Sequence, residues 1–173
     1  MNFSSPQDLI DKLNLINVKF DITIQLCDAS RIATWEHILF GVLNALIATS
    51  QKRNISNQLA MEILLYLAGQ RQIKIALEEF GIKSPGDACI IILGNSAESV
   101  KDALIECEGL VGGVPSDEVL MISDKAKFLA ICQYFQIGEK EIDAVSASST
   151  ELSQYIALVQ IVLNRLSLVT LEK

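Results

Sequence analysis

The sequence has 173 residues, half of them hydrophobic, and a formal net charge of −7. This length suits one domain with a substantial core, and the apolar half indicates a dense core or a large partner surface. The negative charge argues against a general nucleic-acid-binding protein. The apolar runs are too short to cross a bilayer, and the N-terminus lacks the basic region of a secretory signal, so we expect a cytoplasmic protein.

The N-terminal part predicts a lead-in helix and then the first strand of a sheet. Pro6 suits the first position of a short helix with Ser5 as its cap, and we assign residues 1–17 to this lead-in. The run from Val18 to Cys27 alternates in part and is rich in β-branched residues, which predicts the strand. Residues 18–173 form a single domain in this interpretation.

A second helix is predicted from Trp35 to about Ser50, with Thr34 as its N-cap. Its first turn holds His37, the one histidine of the chain. The helix carries a broad apolar face. That face comprises Ile38, Leu39, Val42, Leu43, Leu46 and Ile47.

Residues 57–81 read NQLAMEILLYLAGQRQIKIALEEFG and form the most informative run of the chain. From Leu59 to Ala68 every residue but Glu62 is apolar, so a helix here is apolar all round and central to the fold. We expect it to pack against the sheet with Leu64 in the core. Its N-cap oxygen is predicted to come from Asn54, Ser56 or Asn57.

The run changes character at Gly69, Gln70, Arg71 and Gln72, after which apolar residues return at amphipathic helical spacing. Two interpretations compete: one long helix with a polar girdle, or a buried helix that ends near Gly69 and a second helix from Gln70. A glycine costs about 1 kcal/mol inside a helix relative to alanine, which favours the break. A break would leave backbone N–H groups beside Arg71, an arrangement that suits an anion, whereas a solvent-facing polar turn would bind nothing.

The second half of the chain predicts further strands and helices. A strand from Ala88 to Leu93 is apolar enough for an inner position in a sheet, and Val119 to Ile122 is a short third strand. The run SLVTL after the last helix is a candidate final strand. The caps predicted for the helices are Ser96, Asp124 and Thr150 or Ser149. Strands and helices interleave, so the class is α/β or α+β, with one mixed sheet and several helices around the central apolar helix.

Charge is distributed unevenly along the chain. Residues 51–83 carry a local net charge of +2, whereas residues 84–151 hold twelve acidic against four basic residues. The one basic segment therefore coincides with the central run, although ordinary variation in surface charge would look the same. Its basic residues are Lys52, Arg53, Arg71, Lys74 and Lys83.

The sequence offers few groups for catalysis or metal binding. One histidine excludes a two-histidine metal site, and no glycine-rich phosphate loop is present. The cysteines lie in or beside apolar sequence without a CxxC pair, which indicates buried free thiols and no zinc site. They are Cys27, Cys89, Cys107 and Cys132. We predict no catalytic residue, no metal and no cofactor; a small enzyme that uses His37 or a cysteine stays open and would need a concave pocket around His37.

The run EILLYLAGQRQIKIALEEFGIK resembles the archaeal signature EILLY…GxRQI…A…G of the kinase-binding, CGI-type subunit of the KEOPS/EKC complex. The run DASRIATWEHILFGVLNA, from Asp28 to Ala45, is similar to the same family around DA…EH, as are ACIIIL and the terminal NRLSLVTLEK. The similarity spans Val18 to Lys173, and Ala68 stands where many relatives carry serine. The human relative is the PRPK-binding protein.

The resemblance implies a non-catalytic accessory subunit that binds the small atypical kinase subunit of KEOPS and, through it, the threonylcarbamoyltransferase and dimerisation subunits. It also implies recruitment of tRNA by its 3′ CCA end for N6-threonylcarbamoyladenosine modification. A protein-only module that regulates a kinase without RNA binding is the alternative. Salt dependence separates the two, because affinity for RNA falls steeply with salt.

An acidic protein that binds tRNA must do so where its field is locally reversed, which predicts the basic segment as the tRNA site. Basic side chains suit phosphates, glutamine suits a base edge, and Tyr66 offers a stacking face or else packs in the core. An ion pair between Arg71 and Glu78 is the competing role for that arginine. The predicted tRNA-binding residues are Arg71, Lys74, Gln70, Gln72, Lys52 and Arg53. The predicted kinase interface, taken from residual apolar surface, is Ile73, Leu77 and Phe80.

Overall fold

A computed structural model describes residues 6–82 and 86–169, over which helices and strands interleave. The elements are α1 (Pro6–Phe20), β1 (Ile22–Asp28), α2 (Trp35–Ser50), α3 (Leu59–Leu67), α4 (Ile73–Phe80), β2 (Ala88–Gly94), α5 (Ala97–Val111), α6 (Lys125–Phe135), α7 (Glu139–Val145) and α8 (Glu151–Leu168). Short 3₁₀ turns lie at Ala29–Arg31 and Asp117–Leu120.

The strands β1 and β2 pair as an antiparallel, two-stranded sheet, which confirms the α+β class and the predicted pairing. The N–H of Ala29 donates to the carbonyl of Asp87 at 3.0 Å. Gly94 faces Ile22, whose Cγ2 would lie 2.8 Å from a Cβ added at the glycine. The two contacts agree on one register of the ladder.

Two further predicted strands are wrong. The strand predicted from Val119 to Ile122 overlaps the 3₁₀ turn at Asp117–Leu120. The prediction failed because periodicity over four apolar residues cannot distinguish a strand from a helical turn. The SLVTL strand begins inside α8, which continues through Leu168 because Leu166 and Val169 keep the spacing of its buried face. Residues 170–173 lie outside the described part of the chain.

The first strand begins later than predicted. Helix α1 starts at Pro6 as expected, but it continues through Phe20, and the chain leaves it at Asp21 with φ = 51°. Val18 is 83% exposed, whereas Ile16 is buried. Packing of one helical face therefore overrides the β-branched composition of this stretch. The predicted cap Ser5 lies outside the described residues.

The smaller of two compact units contains α1, α5 and the strand residues 22–26 and 90–94. Helix α1 packs against α5. The buried core of this unit comprises Ile16, Ile24, Ala103 and Cys107.

The larger unit contains α2, α3, α4, α6, α7 and α8. Residues 63–68 are at most 2% exposed, and Leu64 is fully buried, which confirms the predicted burial of α3. The main partners of α3 are α2 and α4, not the strands that we expected it to cover. Gly41 of α2 lies so near Leu67 that an added Cβ would come within 2.7 Å of that side chain, so these two helices pack closely.

Three predicted helix caps are confirmed with their side-chain bonds, Thr34 is confirmed in position alone, and the predicted cap of α3 is wrong. The side chains of Ser96, Asp124 and Thr150 each accept an N–H from three residues further on. Thr34 occupies the N-cap position of α2, but its hydroxyl makes no capping bond. The N-cap of α3 is Gln58 instead of the predicted Asn54, Ser56 or Asn57, and Glu62 of the helix accepts the N–H of Ser56 in the preceding loop.

Candidate functional site

Helix α3 ends in a left-handed turn before α4 begins. The N–H of Gly69 donates to the carbonyl of Tyr66, and the N–H of Gln70 donates to that of Leu65, the paired bonds of a Schellman motif. Gly69 has φ = 59°, and a Cβ there would lie 3.3 Å from the ring of Phe135. The helix break, favoured over one long helix, is therefore confirmed, although the second helix begins at Ile73 and not at Gln70.

The residues after the break, 70–74, are the exposed part of the central run, and we call them the 70–74 segment. Gln70 is half-buried, whereas Arg71, Gln72, Ile73 and Lys74 are exposed. Gln72 is the N-cap of α4, and its side chain caps none of the first N–H groups. A helix start of this kind can present backbone donors to an anion.

The guanidinium of Arg71 is held at the end of α8. Its Nη1 donates to the carbonyl of Val169 at 3.0 Å, where the helix carbonyls carry partial negative charge. Glu78, the competing partner, lies 3.8 Å from Lys74 instead, in an exposed pair of little energetic value. One carbonyl occupies one of five guanidinium N–H donors, so Arg71 keeps the capacity to bind a phosphate.

A cavity of about 290 Å³ opens beside the break. Ala68, Gly69 and Gln70 line it from the α3 side. The remaining lining residues come from α6 and α8: Tyr134, Phe135, Gln136, Arg165, Leu168 and Val169. Val169 belongs both to this cavity and to the contact with Arg71, so the cavity lies next to the exposed segment.

The Tyr134 hydroxyl fixes the wall of the cavity. It donates to the carbonyl of Ala68 at 2.7 Å and is hydrogen-bonded to the side chain of Gln70. Burial raises the pKa of Tyr134 to about 12, while the bond to Gln70 acts in the opposite direction. Arg165 pairs with Glu141 at 2.8 Å. Gln70 is therefore oriented by the protein itself, unlike its exposed neighbours.

The other predicted basic pair, Lys52 and Arg53, lies on the loop between α2 and α3, and both residues are exposed. Glu62 of α3 is hydrogen-bonded to this loop. Its carboxylate is 0% exposed and accepts the N–H groups of Ile55 at 3.0 Å and Ser56 at 2.7 Å. The single charge of α3 thus orders a loop that presents two cations.

Tyr66 is a buried residue of α3 whose hydroxyl is influenced by both Arg53 and Arg71. The residue is 2% exposed, so the ring packs in the core and offers no face to a base. Burial raises the pKa of its phenol, and the charge of Glu62 adds to that, whereas Arg71 and Arg53 act in the opposite direction. Both arginines therefore lie within electrostatic reach of one hydroxyl.

Phe80 is a core residue, which corrects its assignment to the kinase interface. It is 0% exposed, and its ring packs edge-on against His37, Tyr134 and Phe135. Together with Ala76 it forms the buried face of α4. The spacing of the apolar residues in α4 predicts one apolar face of the helix, but it does not show which residues of that face are buried. Ile73 and Leu77 are 42% and 47% exposed.

His37 has both ring nitrogens engaged with the backbone. Its Nδ1 accepts the N–H of Ala33 at 3.2 Å, and its Nε2 donates to the carbonyl of Leu67 at 2.9 Å. Burial lowers the pKa of His37 to about 4, so the ring is neutral at neutral pH. Backbone groups therefore engage both nitrogens, and the cavity beside the break is lined by other residues.

Helix α2 directs its large apolar side chains outward. Its buried residues are His37, Gly41, Val42, Ala45 and Ala48. Its exposed large residues, which we call the α2 face, are Trp35, Leu39, Leu43, Leu46 and Ile47, between 41% and 59% exposed. The small buried residues let α3 approach closely, so most of the broad apolar face described from the sequence lies outside the core.

Sequence reasoning missed the residues that α6 and α8 bring to the break. Tyr134 and Val169 bond residues that lie 66 and 98 positions away, and no local pattern signals such contacts. Glu62 did carry a signal, as the one charge in an apolar run.

Within residues 6–82 and 86–169, no three His, Cys, Asp or Glu side chains lie close enough together to hold a metal ion. The same part of the chain contains no helix with the length and apolar content that a membrane span requires.

Residues 2–168 match the family model described as kinase binding protein CGI-121. The chain is also 30% identical over 116 residues to "Regulatory protein Cgi121" of Methanocaldococcus jannaschii, a match that covers 67% of this chain and 72% of the relative. The family match includes α1 as well as the central run. The chain therefore belongs to the CGI-121 family of kinase-binding proteins.

Proposed function

We propose that this chain is a non-catalytic, cytoplasmic accessory subunit of the KEOPS complex that binds its small atypical kinase subunit and recruits tRNA by the 3′ CCA end. Through the kinase it would join the threonylcarbamoyltransferase and dimerisation subunits. Its membership in a kinase-binding family supports the first role. The observation that carries the second is the exposed 70–74 segment, presented at a helix break.

The tRNA role rests on the chemistry gathered around that break. Arg71, anchored by Val169, and Lys74 supply positive charge, and Gln72 supplies an amide that can donate to and accept from a base edge. The first N–H groups of α4 add donors for a phosphate. Arg53, with Lys52 beside it, acts electrostatically on the same Tyr66 hydroxyl as Arg71 and adds positive charge. The buried Tyr66 takes no part in stacking, so base recognition falls to the other residues.

The α2 face supports the kinase role. Five large apolar side chains exposed along one helix form a surface of the kind that buries against a protein partner. Ile73 and Leu77 of α4 remain candidates for the same role. Phe80 is withdrawn because it lies in the core.

The tRNA proposal is tested by a binding titration with whole tRNA and with tRNA trimmed of its 3′ CCA. Arg71→Glu should weaken binding of whole tRNA, and trimming should weaken binding to the original chain by a similar factor. Lys140→Glu, an equal charge change on exposed α7, is the matched control and should bind nearly as the original. Equal binding of trimmed and whole tRNA would refute the site.

A protein-only module that regulates a kinase is the second candidate, and the α2 face favours it because that surface needs no RNA. The bond from Arg71 to Val169 also gives this arginine a structural role. This candidate predicts that the kinase co-purifies with the chain while no tRNA binds at any salt concentration.

A further inference from the structure

Two thiols face each other across the paired strands. The register set by Ala29 against Asp87 places Cys27 of β1 directly opposite Cys89 of β2. Directly opposite residues of an antiparallel pair project from the same face, with Cα atoms about 5.5 Å apart in a hydrogen-bonded pair. That separation of the Cα atoms lies within the range that a disulfide bridges.

The two thiols differ in exposure and in ease of ionisation. Cys27 is 0% exposed, whereas Cys89 is 6% exposed. The hydrogen bond between them raises the pKa of Cys27 and lowers that of Cys89. The ammonium of Lys127 lowers the pKa of Cys89 further, while burial acts against it. Cys89 is therefore the thiol that an oxidant meets first and the one that more readily becomes a thiolate.

We propose that Cys27 and Cys89 form a site of reversible oxidation, at which a peroxide converts the thiol pair into a cross-strand disulfide. The Cys89 thiolate attacks one oxygen of hydrogen peroxide, the O–O bond breaks, and a sulfenic acid and hydroxide form. The hydroxide takes up the proton that Cys89 released on ionisation and becomes water. The Cys27 sulfur then attacks the Cys89 sulfur and displaces a second water. The two thiols lose two electrons and two protons, and a dithiol reductant returns them.

The disulfide would close residues 27–89 into one loop that contains α2, α3 and α4. That loop holds the α2 face and the 70–74 segment. Cross-linking its two ends restricts the unfolded chain, so the oxidised protein should melt at a higher temperature than the reduced protein.

The test uses the full chain treated with hydrogen peroxide, then alkylated under denaturing conditions and weighed by mass spectrometry. Two thiols per chain should escape alkylation, and trypsin should release peptides 20–31 and 84–101 as one linked species. A dithiol reductant should separate them. The melting midpoint should rise by several degrees on oxidation and return on reduction.

Cys107→Ser with Cys132→Ser, in one variant, should behave in the same way, because burial raises the pKa of both these thiols and they lie outside the pair. Cys27→Ala and Cys89→Ala should each abolish the linked species. Retention of all four thiols in the unsubstituted chain would overturn the proposal, as would links to Cys107 or Cys132 or links between chains. Mapping on the unsubstituted chain decides the matter even if a variant fails to fold.

Discussion

The carboxylate of Glu62 accepts the backbone N–H of Ser56 at 2.7 Å, although α3 is otherwise apolar. The same carboxylate accepts the N–H of Ile55 and is 0% exposed. A buried acceptor of this kind is costly to remove, because its donors stay in a dry site without a partner. Glu62 thereby connects the core of the larger unit to the loop that carries Lys52 and Arg53.

Glu62→Leu should lower the free energy of unfolding by about 3 kcal/mol, because two backbone N–H groups lose a charged acceptor. Glu62→Gln should cost less, since the amide oxygen still accepts. Glu78→Leu, on the exposed surface of α4, is the control and should change stability by less than about 0.5 kcal/mol. Urea denaturation measures all three, and similar losses for Glu62→Leu and Glu78→Leu would contradict the role of Glu62.

We expect the free energy of unfolding to fall on mild acidification, because His37 is buried in its neutral form. Its pKa is about 4 in the folded protein and 6.5 in the unfolded chain, so the unfolded state binds the proton first as the pH falls. The stabilisation is complete above about pH 6.5 and disappears towards about pH 4, with a loss of about 2 kcal/mol at about pH 5. His37 is the one histidine of the chain, so it dominates the profile above the range where carboxylates titrate. Stability that does not change between about pH 7 and about pH 5.5 would contradict this account.

The sequence predicted α3, its break and three helix caps because each leaves a local mark. An apolar run with one charge, a glycine between two patterns, and Ser96 or Asp124 before a helix are such marks. The orientation of α2 left no such mark, since its large apolar residues indicate a buried face, whereas the structure buries mainly the small residues of the helix. The side of α2 that becomes buried depends on how closely α3 approaches. The close approach at Gly41 is a tertiary contact with Leu67, which the local sequence does not reveal.

The candidate site was predictable in part for the same reason. The composition of the 70–74 segment marked it as polar and basic, and the structure exposes most of it. The anchoring of Arg71 by Val169 and of Gln70 by Tyr134 depends on contacts that are distant in sequence. Burial of Phe80 likewise follows from the aromatic cluster that α6 completes.

Gly69→Ala should destabilise the protein by about 1–2 kcal/mol. Its φ of 59° strains any residue with a side chain, and the new Cβ would lie 3.3 Å from the ring of Phe135. Gly109→Ala is the matched control, because Gly109 lies within α5 with nothing within 4 Å of an added Cβ. That change should stabilise the protein by about 0.5–1 kcal/mol through helix propensity. Thermal denaturation measures both, and effects of the same sign would contradict the left-handed turn.

The α2 face should be required for capture of the kinase subunit. Leu43→Glu with Ile47→Glu places two charges one helical turn apart on that face, where burial against a partner would leave them unpaired. The kinase should be lost from co-purification, while the melting temperature changes little because both side chains are about half exposed in the chain alone.

Leu152→Glu provides the control for an exposed apolar residue elsewhere. Leu152 is 70% exposed on α8, so its substitution tests whether any new surface charge disrupts the complex. Ile73→Glu with Leu77→Glu tests the competing surface on α4 with the same one-turn spacing. Loss of the kinase with the α2 pair alone supports the α2 face as the docking surface. Loss with the α4 pair alone would instead assign docking to the surface next to the 70–74 segment, where kinase and tRNA would compete for space.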